Sequence, residues 1–493
     1  MLRSFLSSRI KIILHWLVLG LAIGLLFYTS WRAAVLSMTH DESSTFLNYI
    51  NWPVWSCFSD PLCWGTANMH MLNTWLMQIS VGLFGDAPFF VRLPNVLAHL
   101  LYLIFSTLLI RKLSPNGWVV LAGFLMLNAN PYLLDFFSVA RGYGLACAFM
   151  MMSLYYLHAF IVKPTNRSIV LAILGAILAV LSNFTFLNYL AILFAIFISF
   201  GFFSHFEKMN LPPLTHQQLG LLIGVIIVST FSLGYLLIVP VQTLSQLAEF
   251  NFGAPTLHAT YRAIILDSLY GQGYFSGSTP DIFAVSCGII GIISLVVGFS
   301  KIKQLGQGHA RWYVTVCLLL ILLILALLTQ FYLLGTQYLV NRKALIIIIL
   351  LTLPVISLIE TLRNWRISIG LGFSLFISLF FFLHFSRTAS SDLIREWYYD
   401  RYNQQITQLV AAESVGGRET KLGLEWIFIH SFLFYQQTGG LENVAPLQFD
   451  PAVRSDTLYE YYYIQPSQAH LLHPNYRLVK QFGKVTALYK RTN

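Results

Sequence analysis

The sequence predicts a mainly α-helical, polytopic membrane protein with about eleven transmembrane helices and a small C-terminal α/β domain outside the bilayer. Three observations carry this. Only 10% of the 493 residues are charged and 57% are hydrophobic, with a mean hydropathy of +0.67, whereas soluble domains carry roughly 25% charged residues. Apolar runs recur at the ~20-residue length that crosses hydrocarbon as a helix, the form in which a segment satisfies its own backbone. The last 108 residues, 386–493, hold 21 charged side chains, about twice the chain average. The short apolar–polar alternation of a membrane β-barrel is absent.

The spans fall at roughly 10–36, 90–110, 117–136, 141–161, 168–183, 185–204, 217–239, 281–300, 312–334, 343–361 and 366–385. No signal-peptidase site follows the first, so it reads as an uncleaved anchor. The fifth and sixth meet at a soft break, "LSNFTFLNY". Residues 1–385 form the membrane domain, with two long outer loops at about 37–89 and 240–280. In the first, Asn68 to Phe84 sets His70, Asn73, Thr74 and Gln78 against Met71, Leu72, Trp75, Leu76, Ile79 and Leu83, the pattern of a helix lying in the interface. In the tail, "WIFIH", "LYEYYYI" and "VTALYK" read as strands and 391–412 as a helix.

The net charge of +10 is dispersed and does not mark a nucleic-acid surface. It marks sidedness. With a cytoplasmic N-terminus, thirteen Lys and Arg lie inside against only Glu207 and Glu360. Outside, before the tail, six bases face eight acids. The positive-inside rule favours this orientation, with an odd span count that places the tail outside. Cys147, Cys287 and Cys317 lie in apolar spans, while Cys57 and Cys63 share the loop "CFSDPLC". These two either pair in an oxidising compartment or stay as free thiols.

Two acids, Asp41 and Glu42, follow the first span directly. "THDE" fits a capping box, with Thr39 as N-cap and Glu42 at the third helical position. A solvated helix start therefore accounts for both acids without any function. The surroundings point further. Asp135, Arg141 and Tyr143 lie where the third span meets the fourth, and Tyr338, Arg342 and Lys343 at another outer helix end. His70 and Arg262 lie in the long loops. Ionisable groups at membrane depth are costly and usually have a partner or a task.

One chemistry uses that mixture. A sugar on a lipid phosphate, moved to a hydroxyl, needs cations for the departing phosphate and a carboxylate for the hydroxyl proton. Neither a Walker motif nor a strand–GxGxxG–helix unit occurs, and no His/Cys spacing suggests a metal.

Four stretches carry a resemblance: "DESSTFL"; "NMHMLNTWLM" with "FGDAPFFVRLPNVLAHLLYL"; "NPYLLDFFSVARGYGL"; and "QYLVNRKALIIIILLTLP". With them the chain resembles the GT-C glycosyltransferases that use polyprenyl-phosphate sugars, in particular the family of protein O-mannosyltransferases and the bacterial aminoarabinose transferase acting on lipid A. The resemblance implies a multi-pass enzyme of the bacterial inner membrane. It would transfer a hexosyl or pentosyl group, with inversion, to a hydroxyl or phosphate on a lipid, glycan or protein at the periplasmic face. No cofactor and no metal is implied.

Asp41 is then the catalytic base, and Glu42 assists or orients it. His70 and Arg342 match positions near the donor phosphate, and Arg262, Tyr338 and Lys343 join them by location. Arg92 matches the "RLP" motif, where a structural role joining loop to helix is the more natural one. Arg141 and Tyr143 match a further segment, and Asp135 and Asn73 support. The chain departs from the pattern at Val139, where relatives carry Glu, and at Lys343, where they carry an aromatic.

The rival reading is a polytopic lipid or sugar transporter or flippase. It calls for charge at mid-span and an internal repeat, neither of which is evident.

Overall fold

Each long apolar run becomes a helix, because only a helix keeps its backbone satisfied in hydrocarbon. The computed structural model describes residues 2–65, 68–272, 274, 279–413 and 419–492. In chain order the helices begin with α1 (Leu2–Val35), α2 (His40–Tyr49), α3 (Met71–Phe84), α4 (Pro88–Leu113), α5 (Gly117–Asn128), α6 (Pro131–Asp135), α7 (Gly142–Val162), α8 (Asn166–Ser182) and α9 (Leu187–Phe203). They continue with α10 (His216–Gln246), α11 (Leu257–Ser268), α12 (Thr279–Ser300), α13 (Gly308–Leu334), α14 (Leu345–Trp365), α15 (Ile367–Thr388), α16 (Asn403–Glu413) and α17 (Ile429–Gln437).

Among the described residues nine helices are long and apolar enough to cross a bilayer: α1, α4, α7, α9, α10 and α12 to α15, some with short 3-10 extensions. Two of the eleven expected spans, 117–136 and 168–183, are instead helices of 12 and 17 residues, α5 and α8. Asparagines end both. Asn128 folds its amide onto the Phe124 carbonyl at 2.8 Å, and Asn130 caps a new helix through the N–H groups of Tyr132 and Leu133, with Pro131 at its first turn. Asn183 stops α8 and caps the next turn through Thr185 N–H at 3.0 Å. The helix expected in the first outer loop is α3.

The chain divides into two compact units. The first comprises Met1–Thr29, Trp55–Asn73 and Asn95–Ala389, and the second Ser30–Val54, Thr74–Pro94 and Ser390–Asn493.

In the first unit α7 and α8 approach closely. A Cβ on Gly175 would lie 2.9 Å from the Phe149 carbonyl. Ser153 donates to the Ala172 carbonyl at 2.6 Å and accepts from Tyr189 at 2.8 Å. Arg311 closes the C-terminus of α7, donating to the Ile161 and Val162 carbonyls as well as those of Leu305 and Gly306. A cation there meets the negative end of the helix dipole. Cys57 and Cys63 are paired as a disulfide, with Cα atoms 5.2 Å apart. The indole of Trp64 donates to the Cys57 carbonyl at 2.6 Å and fills that loop.

The second unit contains a four-stranded sheet of β1 (Leu422–Leu424), β2 (Tyr461–Ile464), β3 (Tyr476–Phe482) and β4 (Thr486–Arg491), in the order β1-β2-β4-β3. β1 runs parallel to β2, and the other pairs are antiparallel. The tyrosine run is thus a fully buried central strand. Its alternation splits the rings between faces. Tyr462 and Ile464 pack with Tyr459 and Tyr476. Tyr463 packs against Phe428 and Phe432, with centroids 4.6 and 5.5 Å away.

Two expectations for the tail need correction. "WIFIH" is a 3-10 turn (Trp426–Phe428) leading into α17, not a strand. Phe428 and Ile429 are buried, Phe428 against Tyr463 of the sheet, while Trp426 is exposed, and short apolar runs do not distinguish the two forms. The helix expected over 391–412 begins only at Asn403, after a 3-10 turn at Tyr398–Tyr402.

In the same unit α4 carries Pro94, which cannot donate to the Phe90 carbonyl. The Ser80 hydroxyl takes that carbonyl at 2.6 Å and so fastens α3 to α4.

The pairing makes a direct prediction. Denatured without reductant, the full chain should take up a thiol reagent at three cysteines, Cys147, Cys287 and Cys317. After reduction it should do so at all five. Five modified before reduction, read by intact mass, would contradict the disulfide.

Candidate functional site

The acids that follow the first span lie in the second unit, at the N-terminus of α2. The capping box forms as expected: Thr39 Oγ1 accepts from Glu42 N–H at 3.3 Å, and Glu42 Oε2 accepts from Thr39 N–H at 3.1 Å. Glu42 has a second, stronger engagement. Arg92 grips its carboxylate with Nε on Oε1 at 2.8 Å and Nη2 on Oε2 at 2.9 Å, and both side chains are 0% exposed. The remaining donors of Arg92 go to the Ala33, Leu36 and Ser37 carbonyls at 3.1, 2.8 and 2.9 Å, where α1 ends. The guanidinium therefore closes the end of α1, holds the start of α2 and belongs itself to α4.

Asp41 is 7% exposed on the same first turn. The tail surrounds it. Asp400, 1% exposed, accepts from His40 N–H at 2.7 Å and from Asn403 Nδ2 at 2.9 Å. Asn403 accepts in turn from Tyr463 Oη at 3.2 Å, so the central strand orients the amide that orients Asp400. Tyr435 Oη accepts from Met38 N–H, and Ser431 donates to the Met38 carbonyl. Three carboxylates are crowded here. Burial raises the Asp400 pKa well above the ordinary 3.8, and the Asp41 and Glu42 charges push it further. Arg92 relieves the crowding at Glu42, while at Asp400 burial and the neighbouring charges favour the protonated form.

The His40 ring meets that of His430 edge-on, with centroids 4.5 Å apart. His40 Nδ1 donates to the Ile427 carbonyl at 2.7 Å. Burial lowers the His430 pKa to about 4, helped by His40 and opposed by Asp41.

A cationic group forms in the first unit around His70, which is 6% exposed. Asn183 sets its tautomer. The Asn183 carbonyl oxygen is taken by Thr185, from N at 3.0 Å and Oγ1 at 2.6 Å, which turns Nδ2 toward His70 Nδ1 at 3.4 Å. Nδ1 accepts, so the ring hydrogen sits on Nε2. That Nε2 is buried with no hydrogen-bond partner among the described residues. The His70 pKa lies well below 6.5 because of burial, then the charges of Arg141 and Arg342. His70 is accordingly a neutral N–H donor standing in the field of two arginines.

The "ARGYG" stretch builds this place. A Cβ on Gly142 would come 2.0 Å from the Ser182 carbonyl and 2.9 Å from His70 Cβ. A Cβ on Gly144 would come 2.2 Å from the Phe136 carbonyl. Only glycine permits either approach. Arg141 donates to Asn68 O at 2.9 Å and Oδ1 at 3.1 Å, and Tyr143 meets the His70 ring edge-on at 5.0 Å. Asn73 donates to the Ala140 carbonyl at 3.1 Å and accepts from Asn95 at 2.7 Å, tying α3 to the residue before Arg141.

The other predicted residues are engaged elsewhere in that unit. Asp135 accepts from Tyr270 Oη at 3.1 Å through both oxygens. Arg262 pairs with Asp281 at 2.7 Å on an open surface. Lys343 donates to the Phe252 carbonyl at 3.0 Å. Tyr338 pairs through its backbone with Ala254 and stacks on Phe331. Among the described residues no group of three or more His, Cys, Asp and Glu is placed to hold a metal ion.

No protein-family model and no curated protein matches the chain. Among solved structures it is similar to ArnT from Cupriavidus metallidurans in the apo state, at 13% identity over 96% of this chain and 97% of that one, with a TM-score of 0.44. It is similar to the same protein bound to undecaprenyl phosphate, at 13% identity and the same coverage, with a TM-score of 0.41. Likeness at that level fixes neither residues nor chemistry.

Two predictions follow from the acid cluster. Arg92→Ala strands a buried carboxylate and should cost about 3–5 kcal/mol, seen as a lower unfolding midpoint in detergent. Arg92→Lys should rescue little, since one ammonium cannot reach the carboxylate and three carbonyls. A midpoint equal to that of the parent would contradict the assigned role.

Asp400 supplies the second. Its proton is held more tightly in the folded chain, so its contribution to stability is full below the ordinary 3.8 and falls as pH rises through the raised value. Asp400→Asn cannot ionise. Whatever its fixed offset, its stability relative to the parent should improve as pH climbs from about 4. A difference that is flat with pH would contradict a retained proton.

Proposed function

We propose that the protein is an integral-membrane glycosyltransferase that moves a sugar from a polyprenyl-phosphate donor to an acceptor hydroxyl, with inversion. The observation that carries this reading is the buried Nε2 of His70, which has no hydrogen-bond partner among the described residues and lies in the field of Arg141 and Arg342. A neutral donor with two cations is suited to a phosphate oxygen, and its place beside the start of α7, a helix long and apolar enough to cross a bilayer, suits a phosphate carried on a lipid.

The chemistry divides into two roles. The acceptor oxygen attacks the anomeric carbon as the bond from that carbon to the phosphate oxygen breaks. The departing oxygen keeps the electron pair, and His70, Arg141 and Arg342 stabilise its growing charge. The acceptor's proton passes to the carboxylate of Asp41. Glu42, with both oxygens occupied by Arg92 and Thr39, orients the turn that carries Asp41. Asp400 adds a second hold through His40 N–H. Arg262 and Lys343 serve as surface anchors in this scheme, and Tyr338, Asp135 and Asn73 as struts.

Sidedness belongs to the same proposal. The N-terminus is cytoplasmic and the tail periplasmic in a bacterial inner membrane, as the excess of Lys and Arg on the other side favours. The Cys57–Cys63 disulfide supports an oxidising compartment for its loop. The acceptor class, whether lipid, glycan or protein, is left to experiment.

Comparative lipid and glycan mass spectrometry of cells with and without the gene tests the reading. An envelope component should lose one sugar unit when the gene is absent. Complementation by His70→Ala or Arg342→Ala should restore about a hundredth of that component or less, the scale of losing one preorganised donor to a transition-state anion. Identical profiles with and without the gene would overturn the proposal.

A further inference from the structure

In the second unit, α2 packs on α17 through Phe46 and Phe434, whose rings meet edge-on at 4.9 Å. Beside this contact lies a cavity of about 350 Å³ lined by Leu47, Asn48, His430, Leu433, Gln436 and Gln437. Three of the six are amides and one is an imidazole, so polar groups stand beside an apolar wall. Gln436 is committed to structure: it donates to the Val444 and Ala445 carbonyls and accepts from Leu447 N–H. Asn48 and Gln437 stand exposed at the rim. Nδ1 of His430 is buried and has no partner among the described residues. Leu47 and Leu433 supply an apolar wall.

Asn48 in the cavity lining lies on the same face of α2 as the acid turn. Asp41, Ser44 and Asn48 occupy positions i, i+3 and i+7 of α2, which share a side. Asn48 Nδ2 donates to Ser44 Oγ at 3.3 Å. The ring in the lining is His430, whose protonation senses Asp41.

We propose that this cavity is a saccharide-binding subsite that receives the acceptor, with Asn48, Gln437 and His430 bonding ring hydroxyls while Leu47 and Leu433 cover an apolar sugar face. Amide pairs beside an apolar wall match a pyranose, which presents hydroxyls at its edge and C–H groups on its face. A neutral imidazole offers one donor and one acceptor and adds no charge. The inference rests on the reading of Asp41 as the base, and narrows the acceptor to a molecule with a sugar beside the attacking hydroxyl.

The test uses the full chain in lipid nanodiscs, free of sugar-based detergent. Saturation-transfer NMR is recorded with the methyl glycosides of glucose, galactose, mannose and N-acetylglucosamine. At least one should bind, and Asn48→Ala/Gln437→Ala should weaken it about tenfold or more, for the loss of two hydrogen bonds. Both side chains are exposed, so the variant's unfolding midpoint should match the parent's. Asp41→Asn should still bind. The absence of any bound glycoside, or equal binding by parent and double variant, would overturn the subsite. Binding is read without donor or turnover, so the two proposals fail separately. If glycosides follow Asn48 and Gln437 while turnover ignores Asp41, the transferase reading falls and the subsite stands.

Discussion

Arg92 and Glu42 meet with no water at either side chain, and much of the second unit is arranged so that they can. An isolated buried charge costs several kcal/mol. Here every donor of the guanidinium has an acceptor, two on the carboxylate and three on the carbonyls that end α1. The geometry leaves little freedom. α1 must end at Val35, α2 must begin at His40, and α4 must present Arg92 two residues before Pro94. The turn carrying Asp41 is fixed as a by-product, so this acid holds a defined position rather than that of a mobile surface charge.

The second hold on that turn comes from a distant part of the sequence. A chain of hydrogen bonds runs from Tyr463 in the central strand through Asn403 and Asp400 to the first backbone N–H of α2. Around His70 the same economy recurs. Thr185 orients Asn183, Asn183 selects the His70 tautomer, and two glycines let the backbone come close enough for the ring to be enclosed. In both places a neutral amide decides what a charged or titratable neighbour can do.

The sequence was legible where the physics is local. Hydropathy marks the helices because the requirement for internal backbone bonds acts on each segment alone, and "THDE" marks the start of α2 because a capping box is written within four residues. Polar breaks were less visible: 117–136 reads as one apolar span, yet Asn128, Asn130 and Pro131 divide it. "WIFIH" failed because strand and helix share short apolar runs. Asp400 carried no signal, lying 360 positions from the N–H it accepts in a tail rich in acids. Asn183 did carry one, an asparagine at a helix break followed two residues later by threonine, but the "NFT" triplet also reads as a glycosylation acceptor. Arg92 was legible as a structural joint, whereas the occupation of both Glu42 oxygens depends on contacts 50 residues away.

The proposed reaction stands on Asp41 as the carboxylate that takes the acceptor's proton. The most direct measurement is sugar transfer by full-length, correctly inserted protein carrying Asp41→Asn, against the parent. Loss of a general base predicts a fall of about 10²–10⁴-fold in protein that remains folded. Transfer at the parental rate would contradict it.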